Sequence, residues 1–158
     1  MNTKDWGPCL WKSMFIIAAN YPLEIDKSNK EHLQLKNHYK SFYISFQYML
    51  PCKYCRESYK SFLKDLPIDK FLNSRKCLMY WLYLIKDKVN TKLIHYQNIL
   101  ISQIMESNIT SREKTKLIKG VFRTTPSPPF EEICNFYEQF RAKCSTKTKS
   151  CSIPINKK

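Results

Sequence analysis

Leu50-Pro51-Cys52-Lys53-Tyr54-Cys55-Arg56 divides two helical patterns, and the fold follows from how it is read. Before it, Leu33, Leu35, Tyr39, Phe42, Tyr43, Phe46 and Met49 recur at helical spacing. They predict a long amphipathic helix over Ser28 to Met49, closed by Pro51. After it, Tyr59, Phe62 and Leu63 mark the inward face of a helix from about Cys52 to Leu66, which Pro67 stops. The CxxC therefore opens a helix. Two thiols at this spacing share one helical face and lie within reach of each other. The partial positive charge of a helix N-terminus favours a thiolate over a thiol, and Lys53 and Arg56 add cationic surroundings. A redox-active dithiol needs such an environment. A structural disulfide and half of a zinc site are the other uses of the same pair.

Further out, Trp11, Met14, Phe15 and Ala18 predict a helix over Trp6 to Asn20, with Pro8 in its first turn and Tyr21-Pro22 at its end. A fourth helix is expected from about Phe71 into Asn90 and Leu93, rich in Leu78, Trp81, Leu82, Leu84, Ile85 and Val89. A short fifth is expected over Tyr96 to Glu106, and another over Ser111 to Gly120 with Ser111 as N-cap. Thr124 to Pro129 is a proline-rich linker. A last amphipathic helix is expected over Phe130 to Lys143, followed by a polar, basic and mobile tail from Cys144 to Lys158. There is no internal repeat and no strand alternation. The expected class is all-α.

The chain has 158 residues, enough for one domain with a real core. Its two glycines, Gly7 and Gly120, argue against tight hairpins and glycine-rich phosphate loops. Lysine and arginine number 27 against 13 acidic residues, a formal charge of +14. That balance serves solubility or attracts something anionic: nucleic acid, a membrane surface, an acidic protein or a phosphorylated cofactor. No apolar stretch is long enough to span a membrane, and the N-terminus does not read as a secretory signal. A cytosol-like compartment follows. Seven cysteines there point to redox or metal chemistry rather than to a passive disulfide framework. Cys9, Cys77, Cys134, Cys144 and Cys151 stand singly, and His32, His38 and His95 are isolated, so no metal site is expected. Cys9 and Cys77 read as buried helical thiols.

Three segments occur in order: Trp6-Gly7-Pro8-x-x-Trp11, Leu50-Pro51-Cys52-x-x-Cys55, and Trp81 through Leu93. Together, over roughly Trp6 to Ile104, they resemble the Erv/ALR family of FAD-linked sulfhydryl oxidases, most closely its short members from large cytoplasmic DNA viruses. The resemblance implies a four-helix bundle with a short fifth helix over residues 1–106, holding FAD, followed by a helical extension over 107–143 and the tail over 144–158. It implies that Cys52 exchanges disulfides with an incoming dithiol and that Cys55 faces the flavin, whose electrons pass to dioxygen to give hydrogen peroxide. Gly7, Trp11 and Phe15, with Lys86, Val89, Asn90, Leu93 and His95, fall on the cofactor positions. Phe15 replaces the family's helix-one histidine, and Lys86-Asp87 replace the His-Asn of its second motif. Cys144 and Cys151 resemble the mobile shuttle pair of some relatives. They also read as incidental tail cysteines, or as a staple for the last helix involving Cys134. The implied partner is a dithiol protein, thioredoxin-like or carrying its own CxxC, in the host cytoplasm or virion, with a homodimer as the family's common assembly.

The competing function is a non-enzymatic basic helical module that binds nucleic acid or protein. No helix-turn-helix, finger or aromatic sheet signature supports nucleic acid as its target. A thioredoxin-like reductase would need strands around the CxxC, and none are expected.

Overall fold

Helix ends are set by capping side chains and prolines. In a computed structural model, residues 3–121, 124–145 and 150–152 are described, with backbone alone for Lys4, Lys143, Ser145 and residues 150–152. The first helix, α1, spans Thr3–Ala19, with Asp5 against the positive end of its dipole. The second, α2, spans Lys30–Met49. Its cap is Asn29, whose side chain accepts from the backbone N–H of Glu31 at 2.9 Å and of His32 at 3.3 Å. The expected start at Ser28 is displaced because the Ser28 hydroxyl donates to Asp26 instead, at 2.6 Å. The third, α3, spans Lys53–Asp65, and a 3-10 turn follows at Ile68–Phe71.

The fourth helix, α4, starts at Arg75 rather than near Phe71 and runs unbroken to Glu106. Ser74 caps its start by accepting from the Cys77 N–H at 3.2 Å. The separate fifth helix expected over Tyr96 to Glu106 is thus the end of α4, a rod of about 48 Å. Helix α5 spans Ser111–Gly120 and is capped by Thr110, one residue before the cap expected. Thr110 and Glu113 form a capping box, in which Glu113 accepts from the Thr110 N–H at 3.0 Å and its own N–H donates to the Thr110 hydroxyl at 3.3 Å. Helix α6 spans Phe130–Glu138, shorter than expected. Strands were not expected, yet β1 (Lys143–Ser145) and β2 (Ser150–Ser152) pair antiparallel. Residues 146–149 and 153–158 of the expected mobile tail lie outside the described residues. The all-helical class otherwise holds.

The chain divides into two compact units: residues 1–85 with 129–158, and residues 86–128. In the first, α1, α2, α3, the 3-10 turn and the opening turns of α4 enclose one core of Met14, Phe15, Tyr43, Phe46, Tyr59, Leu72, Leu78, Trp81 and Ile85, among others. Its aromatic polar groups all meet backbone carbonyls: Tyr43 donates to Met14 at 2.8 Å, Tyr59 to Tyr43 at 3.0 Å, Tyr21 to Leu72 at 3.0 Å, and the Trp81 indole to Leu66 at 2.9 Å. Such bonds let large aromatics be buried without an orphaned polar atom. Helix α6 packs on α1, where Tyr137 stacks on Phe15 with centroids 4.8 Å apart. In the second unit, Thr124 to Ser127 lies along the rest of α4: the Thr124 N–H donates to Gln97 at 2.7 Å, and Asn90 donates to the Ser127 hydroxyl at 2.9 Å. No helix among the described residues is long and apolar enough to cross a membrane.

Candidate active site

The corner between α2 and α3 is built to hold a sulfur at a helix start. Leu50 is buried and its N–H bonds back to Phe46 at 3.2 Å, which ends α2 on the core. Pro51 then turns the chain, and Cys52 is extended, with φ −88° and ψ 124°. Its side chain is the N-cap of α3: Sγ accepts from the Cys55 N–H at 3.3 Å. This is the place a serine or aspartate oxygen usually takes, where the amide groups of the first turn converge. The Cys52 thiol is held below its usual range, first by the Cys55 side chain, with help from the backbone N–H groups of Cys55 and Tyr54 and the Arg56 cation, and against partial burial.

Arg56 does more than supply charge. Its guanidinium donates to the carbonyls of Leu50 and of Pro51, the latter at 3.3 Å. It thus clamps the two residues that deliver Cys52 to the helix. Sequence reading found the cation but not the clamp, because the reach from α3 back to those carbonyls exists only once Pro51 has turned the chain. On the same helical turn Cys55 packs against the core, above Tyr59. Tyr59 is buried, its phenol is raised by desolvation, and it stays a donor to Tyr43. Neither Cys52 nor Cys55 is in a disulfide, and each is half-buried.

The residues expected at the cofactor lie on two helices, one per unit for the most part. On α1, Gly7 is half-buried, and a Cβ built there would meet nothing within 4 Å, so no protein atom demands a glycine. Trp11 is half-buried against the core cluster. Phe15 is buried, with one face of its ring taken by Tyr137, a contact between distant residues that no local signal announces. On α4, in the second unit, Lys86 donates to the Asn90 side chain at 2.9 Å, and Asn90 in turn donates to Ser127. Burial pushes the Lys86 ammonium below the usual lysine range, with Asp87 opposing. Val89 is half-buried, and Leu93 and His95 are exposed. Ser127 was not singled out from sequence, since a serine between prolines carries no signal of its own.

Cys144 is disulfide-bonded, and its partner in the strand register is Cys151, whose side chain lies outside the described residues. Cys9 is exposed and Cys77 half-buried, both free, so neither is the buried thiol expected. Cys9 sits in the exposed second turn of α1, which packs on the core mainly further along, from Met14 to Ala19.

A match to the Erv1 / Alr family runs over residues 8–112, most of the chain and the whole dithiol corner. The chain belongs to the Erv1 / Alr family. This bears out the family expected from the Trp6, CxxC and Trp81 segments. A protein of Acanthamoeba polyphaga mimivirus named "Probable FAD-linked sulfhydryl oxidase" is 28% identical over 120 residues, covering 73% of this chain and 78% of that relative. The crystal structure of the yeast Erv1 core superposes with a TM-score of 0.51 at 20% identity, over 78% of this chain and 88% of the yeast one. That likeness is one of fold.

Proposed function

We propose that the protein is an FAD-linked sulfhydryl oxidase that forms disulfides in partner proteins. The observation that carries this reading is the Cys52 sulfur at the N-cap of α3, with Cys55 turned to the core on the same helical turn, in a chain of this family. In the oxidised pair, a substrate thiolate attacks the Cys52 sulfur; the Cys52–Cys55 bond breaks and Cys55 leaves as a thiolate. A second substrate thiolate attacks the substrate sulfur of the mixed disulfide. A disulfide forms in the substrate and Cys52 leaves, carrying the electron pair back to the enzyme dithiol. A thiol held low in its titration is a good leaving group for that step. FAD, when bound, takes the two electrons from the dithiol and passes them to dioxygen, giving hydrogen peroxide.

The side chains present fit that cofactor. The half-buried Lys86 ammonium, the Asn90 amide and the Ser127 hydroxyl form a donor set for an anion, and a pyrophosphate would offset the desolvation of Lys86. Val89, Leu93 and His95 continue that helix, and Gly7 and Trp11 would serve the cofactor from α1. Phe15, already stacked on Tyr137, would serve as packing behind them. Cys144 and Cys151, opposite each other in the strand register, are a second redox pair that hands electrons to Cys52 alongside direct attack by a substrate thiolate. The partner is a dithiol protein, thioredoxin-like or with its own CxxC, in the host cytoplasm or virion. On the family resemblance, the enzyme acts as a homodimer.

The visible spectrum of the purified protein tests the reading. A flavin band that bleaches on adding dithiothreitol under nitrogen and returns with air is expected. Cys55→Ser should keep the band and abolish its bleaching. A folded, colourless protein that takes up no added FAD would overturn the reading and leave the basic binding module.

A further inference from the structure

Three of the four most exposed large apolar side chains among the described residues lie within four positions of Cys52. Tyr48 is 72% exposed, Met49 68% and Tyr54 72%; the fourth is Leu23 at 71%, and none of the others exceeds 56%. They stand on both sides of one corner, at the end of α2 and the start of α3, two helices that pack side by side. The core does not explain them. Leu50, between them, is the residue that turns inward, at 8% exposure. Exposed apolar side chains concentrated in one place mark an interaction surface. Charge around the corner has one dominant sign: from Tyr48 to Lys64 the chain carries Lys53, Arg56, Lys60 and Lys64 against Glu57 alone.

We propose that Tyr48, Met49 and Tyr54 form the docking face for the protein substrate. The partner this face fits is an extended cysteine-bearing segment with an aromatic or aliphatic residue beside the cysteine and carboxylates flanking it. The inference rests on the thiol-oxidase reading for the identity of the visitor and adds which segments are accepted. Cys52 stands in the chain between Met49 and Tyr54, so a segment that delivers its sulfur to Cys52 comes to this corner. Side chains that are exposed before docking lose water to the visitor's apolar residue, while Lys53 and Lys60 meet its carboxylates. An extended segment brings its cysteine and its flanks to one line, which a folded surface seldom does.

The test uses the full chain loaded with FAD and two dithiols: dithiothreitol, which touches only the sulfur, and a reduced Cys-x-x-Cys peptide with a tyrosine beside the first cysteine and glutamates outside. The combined variant Tyr48→Ser, Met49→Ser, Tyr54→Ser should raise KM for the peptide about tenfold, leave its kcat within about twofold, and leave dithiothreitol oxidation unchanged. A peptide with lysines for the glutamates should behave towards the wild-type protein as the acidic peptide does towards the variant. Binding of a labelled peptide with serines for its cysteines, read by fluorescence anisotropy, should fall by the same factor without calling on catalysis. Equal peptide KM and anisotropy in variant and wild type would overturn the docking face. So would a change in oligomeric state with no change in peptide affinity, which would give the patch to a second copy of the chain. Failure of wild-type protein to oxidise dithiothreitol would sink the oxidase reading instead, and the anisotropy would still decide the surface.

Discussion

The two compact units are held by different forces. Every buried residue of the described chain lies in the first, and the second, residues 86–128, has none. The first is an aromatic core in which phenols and an indole are stitched to neighbouring carbonyls. The second is held by polar contacts: the Thr110–Glu113 box, Lys86 to Asn90 to Ser127, the Thr124 N–H to Gln97, and Lys114 to the Met105 carbonyl at 2.6 Å. Burial gains a few kcal/mol per large side chain, whereas an exposed hydrogen bond gains about 1 kcal/mol or less. The dithiol therefore stands on the rigid unit, where a sulfur must keep its place within ångströms. Lys86, Val89, Asn90, Leu93 and His95, expected at the cofactor, stand on the second unit.

The largest effect should come from the first unit. Trp81 is fully buried, packs its ring edge-on to Tyr43 at 5.5 Å, and bonds Leu66 at the end of α3. Trp81→Ala should cost about 3–5 kcal/mol, a large share of a domain's total stability, read as a lower urea midpoint. The same substitution at Tyr96, which is 56% exposed in the second unit, should move that midpoint little. If the two cost the same, the contrast between the units is wrong.

A smaller and sharper effect should come from the Arg56 clamp. Cys52 titrates below a free cysteine, so its thiolate, and with it the rate of alkylation by iodoacetamide, should reach its plateau at a lower pH than in a peptide. Arg56→Met removes one of the smaller causes of that shift together with the bonds to Leu50 and Pro51. The plateau should move to higher pH, and the rate at neutral pH should drop severalfold. The disulfide should become a weaker oxidant, because the released thiolate is less favoured. Arg56→Lys keeps the charge and loses the fork, so it should recover part of the pH profile. An Arg56→Met profile that overlays the wild type would remove Arg56 from the site.

The corner itself could be read from sequence because its determinants are local. Pro51 and Pro67 bracket α3, and a cysteine just before a helix takes the cap without help from distant residues. The fate of α4 was just as local and was nevertheless misread. No glycine or proline stands between Ile68 and Lys119, so nothing interrupts the helix at Leu93 to Tyr96. The ladder of Lys143–Ser145 and Ser150–Ser152 was not legible, since three-residue strands are too short to show alternation. The Phe15–Tyr137 stack and the Asn90–Ser127 bond depend on where α6 and the proline-rich segment return, which periodicity does not encode.

The smallest effect belongs to the second unit, and it is where the contrast can be broken most cheaply. Thr110→Ala should weaken α5 by about 1 kcal/mol, the usual value of a lost N-cap. With no buried residue in α5 to transmit the loss, hydrogen exchange should quicken over residues 111–120 and stay unchanged over 43–85. Acid should do the same in the wild type. Glu113 is held below the usual glutamate range, first by the Thr110 hydroxyl and then by the Thr110 N–H. A carboxylate depressed in the folded state stabilises it above the ordinary carboxylate titration, and that contribution goes as pH falls through the depressed value. Faster exchange in α5 should therefore appear only below the ordinary glutamate range, and Glu113→Gln should make exchange there independent of pH after correction for the intrinsic rate. Were the Thr110 and Glu113 variants also to lower the urea midpoint of the first unit, α5 would be part of the same cooperative structure as the dithiol corner, and the contrast between a core-built unit and one held by polar contacts would have to be given up.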